Sequence, residues 1–184
     1  MDFQISETIN GTQHTNATLS YLVTKSSGGI YTVNMTLATS ETQNITYTYV
    51  VDANNNTVLS ATYAGFTFYG SDAKTEFDAT MSLFGLEETF GGAISVYTSS
   101  QYVHSTGHSS MTFGTTTFEV YTYVANSLPL AFNSCGISSD VTAFTLEVGT
   151  PPGTSLQFIT YLNFASTSPT ELSVTFQLIS MTEG

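Results

Sequence analysis

Residues 30–52 read IYTVNMTLATSETQNITYTYVVD, and this stretch decides the fold class. Tyr31, Val33, Met35 and Leu37 fall at every second position, as do Ile45, Tyr47, Tyr49 and Val51. Side chains of an extended chain alternate between two faces, so each run makes a strand with one apolar side. The β-branched and aromatic residues in those positions suit a pleated, half-buried surface. A polar turn separates the runs, so they form an antiparallel pair.

Working outward, the same period recurs. Asp52 to Asn56 reads as a hairpin loop, and Val58–Tyr69, Ala93–Val103 and Thr116–Val124 read as strands. In the last of these, Phe118, Val120 and Val124 oppose Glu119, Tyr121 and Tyr123. Val141–Val148, the stretch bearing Leu156, Phe158, Leu162 and Phe164, and Glu171–Ile179 follow, with Pro151-Pro152-Gly153 as the turn between the first two. Thr75–Leu86 matches two templates: Phe77, Met81 and Phe84 fit a helix, while Phe77, Ala79, Met81 and Leu83 alternate as in a strand. The strand match is the better one and is the expectation here. Some ten short strands without a βαβ rhythm predict an all-β antiparallel sandwich of Greek-key, Ig-like type.

The composition bounds function. Charged residues make up 9% of the 184, against about 25% in an ordinary soluble domain. Two basic residues against fourteen acids leave a net charge of −12, which excludes phosphate neutralisation and hence nucleic-acid binding. Mean hydropathy is +0.08. Ser and Thr occupy 56 positions, so polarity is carried by hydroxyls that acid does not titrate, which favours an extracellular setting. No apolar run is long enough to span a membrane. The start, MDFQISETIN, has no basic or apolar leader pattern, as expected of a mature exported chain. Cys135 stands alone, which rules out an intrachain disulfide; a small buried apolar residue is the expectation, with a link between two molecules as the alternative.

Five N-x-T sequons lie at Asn10, Asn16, Asn34, Asn44 and Asn55, all within the first 57 residues. On a half-buried strand, Asn and Thr of such a triplet share the solvent face while the middle residue faces the core. N-linked glycans at these five positions are therefore expected, the alternative being the plain polar face of a Thr-rich strand. At the N-terminus, Phe3, Ile5 and Ile9 alternate with Gln4, Ser6 and Thr8, interrupted by Glu7. From Asn10 to Thr18 only Ala17 is apolar, and strand pattern resumes at Leu19, Tyr21 and Val23. Nine extended residues reach about 30 Å, enough to carry a strand into a neighbour's open sheet edge. The division is thus residues 1–18 as donor strand and polar tether, and 19–184 as a β-sandwich head. Pairing of residues 3–9 within their own sandwich is the other reading.

These features together resemble the thread filament subunits of thermoacidophilic archaea of the Sulfolobus group. The resemblance lies in composition and layout along the whole chain, and no diagnostic motif carries it. It implies a fold like that of bacterial type I pilins and head-to-tail joining of identical subunits by strand donation. Phe3, Ile5 and Ile9 would then form the donor face and the five sequon Asn would carry glycans on a cell-surface filament, with a role in adhesion or biofilm. Glu7 departs from an ideal donor face. Type IV pilins and archaellins are less similar, because their long apolar N-terminal helix is missing here.

Enzymatic signals are sparse. No G-x-S-x-G, H-E-x-x-H or phosphate-cradling loop occurs, and neither a catalytic residue nor a cofactor other than glycans is expected. His104 and His108 would bind a metal only if they shared a strand face, and a solvated hairpin is the expectation. Glu87 and Glu88 are adjacent, hence on opposite faces of a strand. Lys74 lies among Asp72, Glu76 and Asp78; an exposed ion pair is expected, with an isopeptide crosslink from Lys25 or Lys74 as the reactive alternative. The competing functional class is a monomeric secreted β-domain, either a carbohydrate-binding module or an acid-stable hydrolase. A surface-layer or viral coat protein is a third.

Overall fold

The computed structural model describes residues 1–39, 44–55, 57–83, 94, 97–128, 141–153, 157–167 and 171–182. Eleven strands form one antiparallel sheet: β1 Asp2–Ile9, β2 Thr12–Lys25, β3 Ile30–Thr39, β4 Ile45–Asp52, β5 Thr57–Tyr63, β6 Phe66–Tyr69, β7 His104–Phe113, β8 Thr116–Ala125, β9 Ala143–Thr150, β10 Phe158–Ser166 and β11 Leu172–Ser180. A helix, α1, spans Gly70–Leu83. The chain is all-β and antiparallel, as its alternation predicts.

The strand order is β6-β5-β4-β3-β2-β1-β11-β10-β9-β8-β7. Every neighbouring pair is consecutive in the chain except β1 and β11, so the connections are simpler than a Greek key. Two meanders, residues 12–69 and 104–180, are joined through β1. Cross-strand rows build the apolar face. Phe3, Leu19, Leu37 and Ile45 stand in one row, and Tyr21, Met35, Tyr47 and Tyr63 in the next. On the other side of β1, Ile5 continues through Phe176, Leu162 and Leu146. Tyr47 and Tyr63 stack with ring centroids 4.4 Å apart.

The layer over this face is helical among the described residues and comes from the connection between β6 and β7. Thr75–Leu86, expected as a strand, is largely α1. Its Ala73, Phe77 and Thr80 follow helical spacing, and Ala73 and Thr80 are buried whereas Ala79 is exposed. Phe77 meets Tyr49 edge-on at 4.9 Å, and that tertiary contact outweighs the local alternation. The expected strand Ala93–Val103 is also corrected. Residues 94, 97 and 98 are helical, the Thr98 hydroxyl donates to the Ile94 carbonyl one turn back, and Tyr97 packs on Phe144 and Phe164.

Two further boundaries move. Val58–Tyr69 is two strands, split by a turn in which Ala64 and Gly65 take φ of 51° and 84°. The polar tether expected at Asn10–Thr18 is instead the Asn10-Gly11 turn and the first half of β2. Ala17 and Leu19 are buried there, so a strand that is polar by count still has a core face. β1 and the first half of β2 therefore belong to the same sheet as the strands that follow. Glu87, Glu88 and Cys135 lie outside the described residues.

The opposite face carries the hydroxyls. Thr36 and Thr46 are hydrogen-bonded at 3.2 Å, Thr62 and Thr67 at 3.0 Å, and Thr48 donates to Asn34 Oδ1 at 2.8 Å. Asn163 Nδ2 bridges Ser173 and Thr175.

Candidate functional site

The strand singled out from the sequence, β1, lies between β2 and β11. It pairs antiparallel with both, Phe3 standing opposite Leu19 and Leu178, and Ile5 opposite Ala17 and Phe176. Phe3 is fully buried, edge-on to Tyr21 at 5.9 Å. Ile5 packs against the same core. Full burial of a side chain such as Phe3 contributes about 1.5–3 kcal/mol, and the half-buried Ile5 contributes less. Glu7 falls opposite Thr15 and Val174, and Ile9 opposite Thr12 and Leu172, with a register shift between Glu7 and Thr8 on the β2 side. The shift relaxes the strict alternation from Glu7 onward.

Both ends of β1 are tied. The N-terminal ammonium donates to the Tyr21 carbonyl at 3.0 Å. Ser180 Oγ donates to the Asp2 carboxylate, and hydrogen bonds from Ser180 and then Ser20 hold the Asp2 carboxyl below its ordinary value. At the far end, Asn10 and Gly11 make the turn into β2 with φ of 50° and 74°. Positive φ at both central residues is what a tight type I′ hairpin requires, and Asn-Gly is its preferred pair. This two-residue turn is the whole connection between β1 and β2.

The five sequon asparagines occupy β2–β4 and their turns. Asn10, Asn16, Asn44 and Asn55 are exposed, and Asn34 is half-buried in the middle of β3. Met35 is fully buried beside Asn34, as strand parity requires. Thr36 and Thr46, the hydroxyl residues of the Asn34 and Asn44 triplets, touch across the ladder.

The chemistry-bearing alternatives separate in space. His104 stands opposite Val124, but the register shifts between Ser105 and Gly107, so His108 stands opposite Tyr121. Val124 and Tyr121 are three apart in β8 and face opposite ways, so the two imidazoles do not share a face. The bulge was the missing signal, with Gly107 its one trace in the sequence. Among the described residues no group of three His, Cys, Asp or Glu side chains is placed to hold a metal. Lys74 pairs with Asp78 on an exposed helix face, and Lys25 Nζ lies 5.9 Å from the Tyr31 ring centre, so neither lysine has the buried setting of an isopeptide bond. A cleft of about 760 Å³ between α1 and the β4–β5 turn is lined by Val51, Val58, Lys74, Phe77 and Asp78.

Burial shapes the interior ionisations. The Tyr21 phenol is pushed well above its usual value by desolvation, and the Tyr49 phenol up to about 12, chiefly by the same cause. Desolvation also raises the Glu147 carboxyl.

No family model matches the chain, and no curated protein matches it. Among solved structures, the crystal structure of LprF from Mycobacterium bovis is similar over 99% of this chain and 88% of that one, at 11% identity and a TM-score of 0.34. Likeness at that level carries neither fold nor function.

Proposed function

We propose that the chain is the repeating subunit of a glycosylated extracellular filament, joined head to tail when β1 of one copy takes the place of β1 in the next. The observation that carries the reading is the placement of β1: central in the sheet, apolar on one face, and attached by a two-residue turn. Opening that turn lets β1 continue β2 as one extended segment. It also leaves a slot between β2 and β11, lined by Leu19, Tyr21, Phe176 and Leu178, which an identical strand fills with the same contacts. The outward hydroxyl face and the sequons on β2–β4 suit a glycan-covered surface. Identical subunits are the partners, and no step calls for a cofactor, a catalytic group or nucleic acid.

Deletion of residues 1–10 tests this. It should abolish fibres seen by electron microscopy and leave a head that binds a peptide of that sequence; fibres that survive the deletion would refute strand donation. Intact mass of the native protein reads the glycans at the same time. The second reading, a self-sufficient monomeric secreted β-domain, is favoured by the pairing of β1 within its own chain. It predicts a monomer at every concentration and no fibres from the full-length protein.

A further inference from the structure

Among the described residues the sheet has two edges without a neighbouring strand, and they differ. At one end β6 offers four residues, Phe66–Tyr69; at the other β7 offers ten, His104–Phe113. Folded proteins guard long edges with lysine, proline, inward charges or bulges, because the outer row of N–H and C=O groups is a template for another strand. The β7 sequence, HSTGHSSMTF, contains no Lys, Arg, Asp, Glu or Pro. Its one irregularity lies at Ser105/Gly107, and from Gly107 to Phe113 the ladder with β8 is regular. His104 through Ser110 are all exposed. The regular stretch Gly107–Phe113 thus presents an uncharged edge without a bulge, and its first four residues are exposed.

We infer that β7 pairs antiparallel with β7 of a second copy, giving a two-fold side-by-side contact distinct from the head-to-tail joint. Length selects this partner, since the four residues of β6 satisfy fewer than half of the hydrogen-bonding groups that β7 presents. Charge selects it too. Two chains of net charge −12 repel over most approaches, and β7 is a ten-residue strip without an acid. An isologous antiparallel contact is self-complementary by symmetry, so one strand serves as both donor and acceptor. The product is one sheet continuing across two molecules.

Amide hydrogen exchange on the full-length protein at rising concentration, with sedimentation equilibrium alongside, tests the pairing. Alternate amides within 107–113 should slow by about tenfold or more as dimer forms. Ser109→Lys puts like charges near the two-fold and should weaken association by about tenfold or more, while Thr67→Lys on the β6 edge leaves it unchanged. The wild-type exchange result stands by itself if the Ser109 variant fails to fold. Exchange in 107–113 that ignores concentration, or a folded Ser109→Lys protein that associates like wild type, overturns the pairing. Concentration-dependent protection confined to 2–9 and 172–180 also overturns it, while supporting strand donation. Protection confined to 107–113 supports the edge contact whatever becomes of the donation reading.

Discussion

Phe3 lies nearly flat against Phe176, ring centroids 4.6 Å apart and planes 18° from parallel, which fastens the first strand of the chain to the last. Truncation at Phe3 removes this stack and the edge-on contact with Tyr21 together. Phe3→Ala should cost about 3–5 kcal/mol, read by chemical denaturation of the full-length protein. Phe3→Leu, which keeps most of the apolar volume, should lose much less.

The Asn10-Gly11 turn has a separable conformational cost. A Cβ at Gly11 would meet nothing within 4 Å, yet φ there is +74°. Gly11→Ala should therefore destabilise by about 1 kcal/mol from backbone strain alone, while Asn10→Gly should be close to neutral. A cost well above this for Gly11→Ala would mean that the turn makes contacts beyond its own backbone.

Gly149 presents the opposite case, close packing without positive φ. A Cβ there would lie 2.8 Å from Thr160 Cγ2 and 3.2 Å from Phe158 Cζ. Gly149→Ala should cost about 1–3 kcal/mol through overpacking, and adding Thr160→Ser, which removes the clashing methyl, should recover a good part of it. A double-mutant cycle measures this coupling directly.

Glu147 gives a pH signature. Its carboxyl is raised by burial, so between the unfolded value and the higher folded value the native state binds more protons than the unfolded chain. Stability contributed by this group accordingly falls as pH rises through that window. Glu147→Gln should raise the melting temperature at pH 7 and change it little at pH 3. Asp2 acts with the opposite sign: its lowered carboxyl contributes stability above the unfolded value near 4, which is lost as pH falls through the folded value. Asp2→Asn should show its deficit at pH 7 and little at low pH.

Much of the fold was legible because most of the pairing is local. The 30–52 hairpin is visible in alternation alone, since its core residues are large and its outward residues are Thr and Asn. The 70–83 helix was hidden because Phe77, Ala79, Met81 and Leu83 mimic a strand, while the deciding fact, Phe77 on Tyr49, lies across the fold. The Asn10-Gly11 turn was missed although Asn-Gly is the preferred hairpin pair, because the polar run that follows it looks like a tether. The residues after it, Thr12 to Asn16, have no apolar member to declare a face, and burial of Ala17 depends on β3 beside it. The candidate strand was found from Phe3 and Ile5, but β2 as its neighbour was not, because the residues opposite it from Thr12 to Asn16 are polar; its other neighbour, β11, lies across nearly the full length of the chain.

That last distance bears on the order of folding. Asp2 and Ser180 touch although they are 178 positions apart, whereas every other ladder joins consecutive strands. Hairpins close quickly and long loops slowly. A chain emerging from its N-terminus therefore has β1 attached on one edge only until its last strand arrives. For the whole of that interval β1 remains available to the β11 of whichever chain finishes first.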